Sequence, residues 1–150
     1  MADIKSPEER SLNMSKIRSR DTKPEVWLRT LLFRKGYRYR KNTGKISGHP
    51  DIWMKRYNTA IFVHGCFWHR HSGCKYSYMP KSRIDFWTNK FNRNIQRDKQ
   101  VKEDLEKQNI RIIIVWECTI KRMLKSVDYE AEIMEHIEGF LHSDDRYLAI

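Results

Sequence analysis

Cys66, His71 and Cys74 fall within nine residues of one another, in a stretch with few aliphatic side chains. Such a loop has little apolar surface to bury, so it needs a covalent or metal tie to hold one shape. The chain has three cysteines, the third being Cys118. An odd number in a chain without a secretion signal argues against a disulfide framework. Thiolate and imidazole donors suit Zn(II), and a closed tetrahedral site is usually structural. Cys118 is the cysteine left to complete a Cys3His set. His69 is also within reach, so spacing alone leaves His69 and His71 open as the nitrogen donor.

The periodicity around this loop reads as α/β, a small mixed sheet flanked by helices. The 150 residues fit one domain. Ser6-Pro-Glu-Glu9 starts a short basic helix over about residues 6–20. Thr22-Lys-Pro-Glu25 repeats the signal and opens a helix that stops at Gly36. Tyr37 to Arg40 reads as a strand and Lys41 to His49 as a loop. Asp51 to Met54 and Thr59 to Val63 read as a hairpin whose second strand is buried on both faces. A long helix is expected from Ile84 to Gln108, and a β-rich strand from Arg111 to Trp116 ending at Glu117-Cys118. That strand is expected beside Thr59–Val63. The core thus spans about residues 22–120, and a last helix about 128–142.

Charge narrows the partners. Thirty Lys and Arg face 19 Asp and Glu, a net +11. Basic side chains of that excess neutralise phosphates and release counterions, so nucleic acid is the expected ligand. The longest apolar run, Ile112 to Trp116, is far too short for a bilayer. No secretion signal opens the chain, so a cytosolic protein is expected, without a membrane partner.

Chemistry concentrates where an acid meets histidines. Asp51 opens one strand, and the next strand ends in His64, with His69 and His71 close behind. That layout resembles the restriction-endonuclease superfamily, in which a carboxylate on one strand and groups ending the next bind a divalent metal. Phosphodiester hydrolysis uses such a metal to hold phosphate oxygens and stabilise the leaving alkoxide. The superfamily's usual second acid and lysine are missing, so a histidine has to do the acid–base work. Glu25 fits either a helix cap or a water-mediated metal contact. Phe67 and Trp68 fit either a DNA contact or packing around the zinc. Trp87 sits on an apolar helical stripe, which favours packing, and Met14 among basic residues fits a wedge or a helix contact.

Several motifs together resemble one family, the very-short-patch repair (Vsr) endonucleases. They are His-Pro-Asp51, Val-His64-Gly-Cys-Phe-Trp-His69-Arg-His71, Arg83-x2-Phe86-Trp87, Asn94-x2-Arg97-Asp98 and Val115-Trp-Glu-Cys118. The Arg20-Asp-Thr22 stretch with Glu25 also fits, and the resemblance covers roughly residues 6–120. It implies a restriction-endonuclease-like fold and a Mg(II)-dependent enzyme that nicks DNA 5′ to the thymine of a T·G mismatch left by 5-methylcytosine deamination. It implies Asp51 on the metal with the Val63 main-chain carbonyl, Glu25 through water, His69 as acid–base residue and His64 in support. It assigns Cys66, His71, Cys74 and Cys118 to zinc, and Phe67, Trp68, Trp87 and Met14 to the DNA. A family threonine is Val63 here, and two residues separate His71 from Cys74 where another member has one. A monomer is expected, linked in function to a cytosine-5 DNA methyltransferase and a repair polymerase. Two other readings fit the residues: a restriction-type nuclease cutting undamaged sites, and a non-catalytic, zinc-stabilised DNA-binding module.

Overall fold

The computed structural model describes residues 21–150. The expected helix over residues 6–20, and with it Met14, lies outside the described residues. Helix α1 (Lys23–Arg34) is followed by strands β1 (Arg40–Lys41), β2 (Ile52–Met54) and β3 (Thr59–His64). Helix α2 (Ile84–Lys107) leads to β4 (Arg111–Trp116), helices α3 (Glu117–Lys125) and α4 (Val127–Leu141), and β5 (Tyr147–Ala149). The strands form one sheet in chain order, β1-β2-β3-β4-β5. The first three run antiparallel as a meander, and β3-β4 and β4-β5 are parallel. This is the expected mixed sheet between helices.

The alternation in β3 and β4 explains the layers. Ile61, Ile113 and Val115 point to one face, where Leu28 and Leu32 of α1, Met123 of α3 and Ile137 of α4 bury them. Ala60, Phe62, Ile112 and Ile114 point to the other, against Leu105 and Val101 of α2. Both strands therefore read as mainly apolar runs along their length. The α2 face also receives the loop before β2. A side chain at Gly48, which has φ +80°, would place its Cβ 2.5 Å from a Val101 methyl, so glycine permits that close approach.

Two expectations change, and one strand is added. The first strand is only Arg40–Lys41, starting three residues later than Tyr37. Glu117-Cys118 does not end a strand but opens α3, whose Ile120 and Met123 are buried under the sheet. The polar residues after α4 lead into β5, which supplies β4 with a second partner.

Arg111 fastens that C-terminal region. Its guanidinium donates to the carbonyls of Tyr57, Phe140, Leu141, Ser143 and Asp145. Two of these carbonyls, Phe140 and Leu141, belong to the last turn of α4, where carbonyls run short of partners along the helix. Arg111→Met should therefore lower the urea midpoint, at a cost of about 2–3 kcal/mol. Lysine should rescue it poorly, because one ammonium cannot reproduce the planar fork.

Candidate active site

Asp51 immediately precedes β2 and stands opposite the C-terminal half of β3. Its Oδ2 accepts a hydrogen bond from the Val63 amide at 2.6 Å. In a strand the N–H and C=O of one residue face the same neighbour. The Val63 carbonyl thus turns to the Asp51 side. Glu25, 4% exposed on α1, brings its carboxylate beside Asp51. Burial, with Glu25 beside it, pushes the Asp51 carboxyl up to about 7 against the pull of the Val63 amide. The pair, Glu25 buried and Asp51 half-buried, is thus short of positive charge. Arg29, 5% exposed, lies behind it and offsets part of the strain, clamped by Asp21 Oδ1 at 2.6 Å.

Glu25 does not behave as a capping-box residue. The Thr22 side chain makes no cap bond, and Glu25 Oε2 accepts from the Asp21 amide at 2.8 Å. The carboxylate thus closes the chain end just ahead of the helix and also lies beside Asp51.

Across the cleft, His64 ends β3 and His69 stacks on it, centroids 3.8 Å apart and planes 4° from parallel. Burial and the neighbouring His69 push the His64 imidazole down to about 3, so it is neutral at physiological pH. His69 Nδ1 bonds Asp98 Oδ2 at 2.7 Å, which leaves Nε2 to face the cleft. His64, His69 and Asp98 are close enough to be read as metal donors. The direct His69–Asp98 bond argues against that, because an ion would hold the two atoms apart. Asp98 is the functional candidate that residue patterns alone missed as a partner. Its signal was helical spacing: Asn94 and Asp98, four apart on one face of α2, reach the Trp68 carbonyl and His69 respectively. Glu25, Asp51, Val63, His64, His69 and Asp98 line one cleft of roughly 1030 Å³, together with Arg70, Arg97 and Trp116.

The loop between β3 and α2 holds the second cluster. Donor atoms of Cys66, His71, Cys74 and Cys118 all lie within 4.8 Å of one another. Tetrahedral zinc with Zn–S near 2.3 Å spaces its ligands by roughly 3.5–4 Å, so the set fits. Cys118 reaches it from the first turn of α3, its Sγ 3.5 Å from His71 Nδ1. His71 stacks on Trp116, while His69 faces the other way, toward Asp98. The two histidines left open by spacing are thus separated by orientation. Burial pushes the Cys66 thiol up to about 12; a bound cation is what would hold a thiolate there.

The same loop and the first turn of α2 carry an aromatic group. Phe67 lies 5.1 Å from Trp68 and 5.5 Å from Trp87, centroid to centroid. All three are half-buried, anchored on buried Phe91. Arg70 staples the loop, donating to the Phe67, Ser77 and Tyr78 carbonyls while its guanidinium covers Phe91. Trp87 is therefore neither a plain core residue nor a free one.

The family model of the DNA mismatch endonuclease Vsr matches residues 2–75. The type II nicking enzyme V.NmeAIP of Neisseria meningitidis is 47% identical over 121 residues, 81% of this chain and 86% of that protein. V.XorIIP of Xanthomonas oryzae, another type II nicking enzyme, is 41% identical over 80% of this chain and 88% of its own. The DNA mismatch endonuclease Vsr of Escherichia coli is 38% identical over 128 residues, covering 85% of this chain and 81% of its own. Among the described residues no helix is long and apolar enough to cross a membrane. A cleft that joins an acid pair to a histidine–aspartate pair, beside a Cys3His cluster, and relatives that align over most of both chains lead to one conclusion: this chain is a DNA endonuclease and belongs to the Vsr mismatch endonuclease family.

Proposed function

We propose that the enzyme nicks one DNA strand 5′ to the thymine of a T·G mismatch of the kind left by 5-methylcytosine deamination, using Mg(II), with zinc in a structural role. The observation that carries the chemistry is the cleft itself, with Asp51 and Glu25 on one wall and His69–Asp98 on the other. Asp51 and the Val63 carbonyl are hard oxygen donors suited to Mg(II), with Glu25 reaching it through water. Bound there, the ion would neutralise the phosphate oxygens and the charge growing on the leaving alkoxide. His69 Nε2 takes the proton of the attacking water while Asp98 holds the ring by Nδ1. Oxygen bonds to phosphorus, one ester P–O bond breaks, and the alkoxide is reprotonated by solvent. Neutral His64, stacked beneath, fixes the plane of His69 without competing for its proton.

Mismatch choice rests on different groups. Phe67, Trp68 and Trp87 offer flat apolar faces beside a basic cleft, suited to wedging between base pairs. A T·G pair is weaker than T·A and costs less to unstack. The relatives' names support a nick rather than a double-strand cut, and a monomer, a cytosine-5 methyltransferase and a repair polymerase complete the proposal. Nicking of a T·G duplex and of its T·A counterpart with Mg(II) tests it: cleavage of the T·G duplex at least about a hundredfold faster is expected. Equal cutting would favour a restriction-type nuclease, and tight binding without cutting a non-catalytic module.

Asp98→Asn should lower the single-turnover nicking rate by about 10–100-fold and flatten its pH profile, because the amide no longer holds the imidazolium. DNA affinity should stay within about twofold; a parallel loss of binding would mean that Asp98 only supports the fold.

A further inference from the structure

The cleft does not end at the catalytic groups. It continues along α2 past Val101, Lys102 and Leu105 to Tyr147, on the C-terminal strand and outside the residues 2–75 that carry the family match. Tyr147 registers with Ile112, so it shares the sheet face that α2 covers, and 45% of it remains exposed. The Lys102 ammonium lies over its ring, 4.1 Å from the centroid. Ile112 is four residues before Trp116 on β4, about 13 Å of extended strand. The Tyr147–Lys102 pair is therefore a few nucleotides from the place where a phosphate would meet Asp51.

The surrounding charges favour a polyanion. Arg97, Lys99 and Lys102 line the cleft from α2. Two acids face Tyr147, Asp98 and Glu106. The first is occupied by His69; the second meets Lys102 only at 3.9 Å, in an exposed i,i+4 pair weak enough for a phosphate to displace. Burial and these acids keep the Tyr147 phenol protonated, so its hydroxyl can donate. A phenolic donor and an ammonium at one point are groups that hold sugar and phosphate.

We propose that Tyr147 and Lys102 form a contact for the DNA backbone that extends the site along the cleft, away from the scissile phosphate. The proposal rests on the nuclease reading of the cleft, and its occupant is the same duplex. It gives the C-terminal strand a function beyond completing the sheet: it carries a DNA contact to the far end of the groove.

Binding of a T·G duplex, measured by fluorescence anisotropy over a range of salt, tests this with Lys102→Met, Tyr147→Phe and Tyr147→Ala. Lys102→Met should weaken binding about 3–10-fold at 0.1 M salt and reduce the log–log salt slope by about one. Tyr147→Ala should weaken it severalfold, with Tyr147→Phe between. Duplexes shortened on one side or the other of the mismatch locate the contact: on one of them every variant should match the wild type. Unchanged affinity and slope in Lys102→Met would overturn the proposal, as would penalties that persist on both shortened duplexes. Lys102 is a half-exposed helix residue, so its variant reads the contact even if Tyr147→Ala loosens β5. Failure of the mismatch reading would show separately, as equal wild-type cutting of T·G and T·A duplexes.

Discussion

Asp51→Asn is expected to lower nicking by about a thousandfold or more while making the metal-free protein more stable at pH 8. The activity loss follows from removing the charged oxygen donor that a Mg(II) ion needs in direct contact. The stability gain follows from burial. Asp51 is held near 7 in the folded chain, well above its ordinary 3.8. The folded state therefore binds this proton more tightly than the unfolded state does. That stabilisation is complete below about pH 4 and is lost as pH rises through about 7. At pH 8 the metal-free enzyme thus carries a cost of about 2–4 kcal/mol, which asparagine avoids. Thermal melts in chelator at pH 5 and pH 8 check this: the wild type should lose stability between them, and Asp51→Asn should lose less. Adding Mg(II) should raise the wild-type melting temperature at pH 8 and leave the variant unmoved. An Asp51→Asn protein that nicks normally would remove Asp51 from the chemistry. Normal mismatch-duplex binding in the inactive variant would separate cleavage from recognition.

The residues differ in how much of this they reveal by themselves. Thr59–His64 and Arg111–Trp116 are legible because strands buried on both faces must be apolar along their whole length. The long α2 helix is legible from its stripe, with Phe91 and Leu105 buried at helical spacing. Strand β5 is not, because three residues after a polar turn carry little pattern. They become a strand only because β4 offers an unpaired edge, a long-range event that local propensity does not register. Helix α3 is hidden because its first residues, Glu117 and Cys118, follow Trp116 of β4 directly, with no side-chain cap to mark the start. Within the site, Asp51 and the cysteines announce themselves by residue type and spacing. Glu25 and Asp98 do not. One matches a local capping rule and the other is one charge among many on a solvated helix. Their meaning comes from what the fold brings opposite them: Asp51 in one case, His69 in the other.

Cys118→Ser is expected to reduce bound zinc to well under one ion per chain and to lower the melting temperature by about 10 °C or more. The size follows from what the loop lacks. Between His64 and Ile84 there is no helix or strand, and the buried side chain that anchors the stretch is Cys66, at 2% exposure. Structural zinc contributes on the order of 10 kcal/mol in small domains, and losing one thiolate of four forfeits a large part of that. A loss of about 4 kcal/mol corresponds to roughly 10–15 °C in a chain of this size. Activity should fall too, by a route distinct from that of Asp51. His69 lies between Cys66 and His71, so the zinc ligands on either side set where its imidazole meets Asp98. Loss of zinc should therefore weaken both nicking and mismatch binding, since Phe67 and Trp68 ride on the same loop. His69→Ala and His71→Ala sharpen the test, being two residues apart in one loop. The first should keep its zinc and lose nicking; the second should lose zinc, stability and nicking together. Full zinc content in Cys118→Ser, measured by metal analysis of the purified protein, would remove Cys118 from the cluster. Full zinc in His71→Ala would return the nitrogen ligand to His69 and with it reopen which histidine moves the proton.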